Sequence, residues 1–197
     1  MPFTSLAADK RSKVLSATLA LLASRGFHGF SMKQLAEKAG VATGSLYLYF
    51  KDRDELIREL YRQVVHEVAS HMFVDVDTRG PLRQQYRQIC WNFWHFCLKN
   101  PDILSCKAQF DHLPPDIRRL QKIESKAVIR PLYAIFEAGR ETAEIKQLPD
   151  DVLISLALEP LFDLAGKQLI GLVALDERDV EQVVSACWDA ISRQYNS

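Results

Sequence analysis

The sequence predicts an all-α chain in which a three-helix head containing a helix-turn-helix is joined to a larger helical body. Three observations predict it. Apolar residues recur at three- and four-residue spacing from Val14 to Ile191, the period of helices with one buried face. Ser31 and Gln34 stand in the S-x-x-Q order of a capping box, and Gly40 closes the segment they open. The charge, balanced overall, is split along the chain.

At 197 residues the chain suits a small head, residues 1–53, and a larger body, residues 54–197, and its 48% apolar content suffices for a core. Residues 1–53 carry eight Lys or Arg against three Asp or Glu, a net +5, while the remainder carries seventeen against twenty-two, a net −5. A basic head on an acidic body suits a polyanion at one end only.

After a short lead-in at 2–8, the first helix runs over 9–24 with Val14, Leu15, Thr18, Leu19, Leu21 and Leu22 inward, and Arg25-Gly26 ends it. Residues 27–30 form a tight connection whose aromatic rings tuck under the head. The second helix starts at Ser31 and ends near residue 39, with Gly40 as its cap. A Gly-containing turn then leads to 41–51, the second member of a helix-turn-helix. There Leu46 and Phe50, four apart, share the buried side, and a helical wheel turns Gly44, Ser45, Leu48 and Tyr49 outward. Gly44 lets the backbone approach a groove, Ser45 bonds a base edge or a phosphate, and Leu48 packs on a thymine methyl. Few strong donors face the bases, so phosphates supply much of the affinity. Lys33 and the helix start at Ser31 hold the flanking backbone.

The segments R-G-F at 25–27, F-S-M-K-Q-L-A-E-K-A-G-V at 30–41, G-S-L-Y-L-Y-F-K at 44–51 and D-E-L at 54–56 make residues 14–57 resemble the DNA-binding head of TetR-family transcriptional regulators. The resemblance implies an all-α homodimer that binds a palindromic double-stranded DNA operator through its heads. A small-molecule effector held in each body releases the DNA. Cys90, Cys97, Cys106 and Cys187 stand in apolar surroundings without C-x-x-C spacing, which suits reduced thiols in the cytoplasm, and with no metal, cofactor or catalytic motif no enzyme activity is expected. By the same resemblance Thr43, Ser45, Tyr47, Tyr49 and Lys51 touch DNA. Ala42 stands where the family often has a capping Ser, so Thr43 is expected to cap the recognition helix, which would begin one residue late.

In the body, residues 52–72 open with Asp52 and Glu55 and make a lever of about 30 Å at about 1.5 Å per residue. A loop at 75–81 precedes a helix over 81–99 dense in aromatics, and a shorter one reaches Phe110 before the break at 112–115. Long helices follow over 116–143 and 149–175, kinked at Pro131 and Pro160. Asp176 caps a last helix with Val180, Val184, Cys187 and Ile191 on one face. The last two helices carry Ala165, Gly166, Gly171, Ala186 and Ala190, suited to a four-helix bundle between two chains.

The effector is expected to be a small hydrophobic or aromatic molecule lined by Trp91, Trp94, His95, Leu98, Phe110, Tyr133, Phe136, Glu137 and Asp163. Two other readings compete: a redox-controlled regulator using Cys90, Cys97 and Cys106, and a helical binding protein or enzyme whose head merely packs. His66 and His71 are five apart and cannot chelate one metal as an i,i+4 pair does. The most apolar run, 152–175, is interrupted by Glu159, Asp163 and Lys167, so no membrane span is expected, and the sequence opens without a secretion leader.

Overall fold

A computed structural model describes residues 10–111 and 115–193, with backbone alone at 107, 108, 111, 115–118, 120, 121 and 124. The lead-in at 2–8 and most of the break at 112–115 lie outside the described residues. Eleven helices are present among those described: α1 (Lys10–Arg25), α2 (Met32–Ala39), α3 (Thr43–Tyr49), α4 (Arg53–Met72), α5 (Leu82–Lys99), α6 (Pro101–Asp111), α7 (Pro115–Val128), α8 (Arg130–Glu141), α9 (Asp150–Ala157), α10 (Glu159–Leu169) and α11 (Glu177–Ile191). The fold is all-α. None of the described helices is long and apolar enough to cross a membrane.

The caps explain the helix boundaries. Ser31 Oγ accepts the Gln34 N–H at 3.2 Å, and Gln34 Oε1 accepts the Ser31 N–H at 2.8 Å, so two orphan donors of α2 are satisfied reciprocally. Gly40 ends α2 at φ 67°, a left-handed conformation that a side chain would strain. At α4, Asp52 Oδ1 accepts the Glu55 N–H at 2.8 Å while Glu55 reaches back to the Lys51 N–H at 2.6 Å. Asp176 and Asp179 make the same reciprocal box at α11.

Two expected kinks are complete breaks. Pro131 has no N–H to give and sits in the first turn of α8, so the helix restarts after Ile129 (φ −95°, ψ 21°). Pro160 likewise separates α9 from α10 at Leu158. The helix expected to reach residue 175 stops at Leu169, because Gly171 adopts φ 73° and the Leu172 N–H turns back to the Lys167 carbonyl at 2.9 Å.

The chain divides into two compact units, Met1–Glu67 with Asn100–Ser125, and Val68–Lys99 with Lys126–Ser197. In the first unit α1 packs on both α2 and α6, and α2 on α3. Leu22, Leu35, Leu46, Leu56 and Leu60 are fully buried in that unit. Gln109 of α6 accepts the Phe27 N–H at 3.1 Å, tying a segment far along the sequence to the end of α1.

In the second unit α5 lies against α8, α10 and α11, and α9 against α8, α10 and α11. The link after α8 closes this unit: Lys146 N–H donates to the Ile191 carbonyl and Arg193 N–H to the Glu144 carbonyl, each at 2.8 Å. That link leaves no room at Gly139, where an added Cβ would stand 2.5 Å from the Ile145 side chain. Gly139→Ala is expected to lower unfolding free energy by about 1–3 kcal/mol in urea denaturation, the usual cost of overpacking.

Candidate nucleic-acid interface

The interface is built from α2 and α3. Leu46 and Phe50 are buried, which fixes which way α3 faces. Helix α3 begins at Thr43 with Ala42, not Thr43, in the N-cap position. Ala42 takes the extended cap geometry without a side-chain bond, and its carbonyl accepts the Ser45 N–H at 2.8 Å. The expected one-residue delay therefore does not occur.

The outward arc is rotated from the one the wheel predicts. Thr43, Gly44, Tyr47 and Leu48 are exposed, Tyr47 to 54% and Leu48 to 82%, whereas Ser45 and Tyr49 are half-buried. The cause is Phe50. It is the C-cap, at φ −137° and ψ 119°, so its ring reaches the core from extended backbone rather than from the helical position the wheel assigns it. The buried side then centres on Leu46 with Ser45 and Tyr49 at its edges.

Ser31, Lys33 and Lys51 are exposed. The Ser31 oxygen is engaged as acceptor by its capping box, which leaves its O–H as a donor to a phosphate. Between α1 and α2, Arg53 holds the connection: its guanidinium lies over the Phe27 and Phe30 rings at 5.2 and 4.5 Å and donates to the carbonyls of both residues. Burial lowers the pKa of this guanidinium, and Asp54 partly offsets that. Nothing local in the sequence marks Arg53 for this role, because Phe27 and Phe30 stand 26 and 23 positions before it.

The residues expected to line an effector site lie in varied surroundings. Trp94 and Phe136 are buried, Tyr133 packs beneath Lys126 Nζ at 4.8 Å, and Leu98 is half-buried. His95 and Glu137 are exposed, and Asp163 is exposed in an ion pair with Lys167 at 2.6 Å. Phe110 belongs to the first unit, edge-on to Tyr61 at 5.1 Å. Trp91 donates its indole N–H to Glu181 at 2.7 Å. Arg87 also donates to Glu181, at 2.7 Å; that bond, ahead of the Trp91 contact, holds the Glu181 carboxyl below its ordinary range.

A cleft of about 370 Å³ lies on other faces of α5 and α8. Leu82, Gln85 and Ile89 of α5 face Pro131, Ala134, Ile135 and Ala138 of α8, and Phe73, Val76 and Thr78 close one end. Gln85 donates its amide to the Gly80 carbonyl at 2.7 Å and to that of Thr78 at 3.3 Å. Both helical stripes recur at three- and four-residue spacing, a signal present in the sequence but chemically unremarkable beside the tryptophans.

All four cysteines are buried. Burial pushes the Cys97 and Cys106 thiols up to about 12 and raises those of Cys90 and Cys187 as well. A thiol held protonated and covered is the reverse of what a peroxide-sensing cysteine requires.

The geometry agrees with what this chain is similar to. Residues 14–60 match the family described as bacterial regulatory proteins, tetR family, and residues 81–192 match the tetracyclin repressor-like C-terminal domain. An uncharacterized HTH-type transcriptional regulator of Haemophilus influenzae is 31% identical over 188 residues, 94% of this chain and 97% of that one. The fatty acid metabolism regulator protein of Bacillus subtilis is 25% identical over 89% of this chain and 94% of its own length. The structure of a putative TetR-family transcriptional regulator from Vibrio parahaemolyticus superposes with a TM-score of 0.83 at 34% identity, covering 94% of this chain and all of that one. With a helix-turn-helix head, a helical body and similarity along nearly its whole length, the chain belongs to the TetR family of transcriptional regulators, DNA-binding proteins and not enzymes.

Proposed function

We propose that this chain is a ligand-responsive repressor that acts as a homodimer on a near-palindromic operator and is released by a small hydrophobic molecule. The observation that carries the DNA reading is α3 itself, whose buried anchors Leu46 and Phe50 leave Thr43, Gly44, Tyr47 and Leu48 uncovered on a head of net charge +5. Residues 1–53 supply the DNA-contacting part. Thr43, Gly44, Tyr47 and Leu48 enter the major groove, Ser45 and Tyr49 flank them, and Ser31, Lys33 and Lys51 hold phosphates on either side.

Residues 54–197 supply dimerisation and effector binding. Helices α10 and α11 present Gly166, Ala186 and Ala190 and pair with their copies in a four-helix bundle, which sets two recognition helices about 34–36 Å apart, one turn of DNA. The effector occupies the cleft between α5 and α8. Its lining is apolar apart from Thr78 and Gln85, and Gln85, its amide nitrogen committed to loop carbonyls, offers an oxygen to one polar group of the guest. Phe73 in that lining directly follows α4, the helix that begins at Arg53 in the head. A guest that binds better to one placement of α4 shifts the population toward it, and one with equal affinity for both does nothing.

Two measurements test these readings. Lys33→Ala and Lys51→Ala should each weaken binding to every duplex alike and lower the slope of log affinity against log salt by about one in mobility-shift titrations. Loss of sequence preference with an unchanged slope would remove the lysines from the phosphate role. Ala134 is exposed in the cleft, so Ala134→Phe should leave the fold and duplex binding intact while abolishing release by a library of hydrophobic molecules that free the wild-type complex. Release undiminished in that variant would place the effector elsewhere.

A further inference from the structure

We propose that Leu48 sets base specificity by packing on the C5 methyl of a thymine in the major groove, with Gly44 admitting the base pair to it. The inference rests on the DNA-binding reading above and deepens it.

Leu48 is 82% exposed, the most exposed of the large hydrophobic residues described, on a helix whose other leucine, Leu46, is completely covered. A single surface leucine is unremarkable. This one continues an uncovered strip with Tyr47 and with Gly44, which lies one helical turn before it. A Cβ added at Gly44 would meet nothing within 4 Å, and Gly44 is not among the glycines of positive φ. Neither space nor backbone conformation within the chain calls for glycine there, and glycine weakens a helix. The lack of a side chain is of use only to something that approaches from outside.

The chemistry of that visitor follows from what the strip lacks. Thr43, Gly44, Tyr47 and Leu48 include no Arg, Lys, Asn, Gln, Asp or Glu, so none of the bidentate pairings that read guanine or adenine is available on it. Every base pair presents hydrogen-bonding groups in the major groove, but only thymine presents an apolar one. Leucine beside that methyl buries apolar surface. Beside the amino group of cytosine or adenine it would strip water from a donor and return no partner. Leu48 thus favours thymine and disfavours the alternatives through the same side chain.

The test uses duplexes enriched by the wild-type chain from a random-sequence pool, remade with deoxyuridine in place of each thymine in turn, which removes the methyl and keeps every hydrogen bond. The wild-type chain should lose about fourfold in affinity at one position per half-site, the worth of one buried carbon. Leu48→Ala should bind the thymine duplex more weakly and show no response to deoxyuridine at that position. Gly44→Ala should weaken binding without lowering the thermal midpoint. A wild-type chain indifferent to every deoxyuridine, or a Leu48→Ala chain with the full wild-type response, overturns the proposal while the DNA-binding reading stands. If no duplex is enriched from the pool, that reading falls and the proposal with it.

Discussion

A seven-residue helix without a capping side chain does not hold together in water, because two turns return too few hydrogen bonds for the dihedrals they fix. Helix α3 therefore depends on Leu46 and Phe50 being driven out of water into the first unit. The floor they meet is itself held in place: α2 by its capping box, the connection after α1 by the Arg53 guanidinium between two rings and two carbonyls. A partly buried charge left without such partners would be costly, so the α1–α2 connection and the start of α4 are fixed to each other. Gln109 holds the Phe27 amide from α6 while Arg53 holds the Phe27 carbonyl from α4. The exposed face of α3 is the by-product of these contacts, which cover Leu46 and leave Thr43, Gly44, Tyr47 and Leu48 outside.

The second unit follows a different rule. Its helices are joined by polar links at their rims, such as Arg87 and Trp91 of α5 on Glu181 of α11, and Lys126 and Arg140 on Asp150. The aromatic residues of α5 and α8 mostly fill its interior, and the smaller residues on the opposite stripes leave the cleft. Ala134 and Ala138 make space in the cleft by their size.

What was legible in the sequence was local. The Ser31 box, the Gly40 cap and the two proline interruptions each depend on residues a turn apart, and each appears where the sequence puts it. The outward arc of α3 differs from the one periodicity predicts because the helix ends at Tyr49 and Phe50 continues in extended backbone. The grouping of residues 100–125 with the head rests on α6 packing against α1, as where Gln109 meets Phe27 across 82 positions, which no spacing rule reveals. The cleft is likewise a product of two helices some forty-five positions apart, lined by alanine, isoleucine and glutamine that carry no chemical signature of their own.

The exposed face of α3 is the surface proposed to meet DNA. Amide resonances of the isotopically labelled chain, followed as an enriched duplex is added, test this most directly. Shifts concentrated at Thr43, Gly44, Tyr47 and Leu48, with smaller ones at Lys33 and Lys51, are the predicted result. Shifts that spare α3 and fall on α5 and α8 would contradict it.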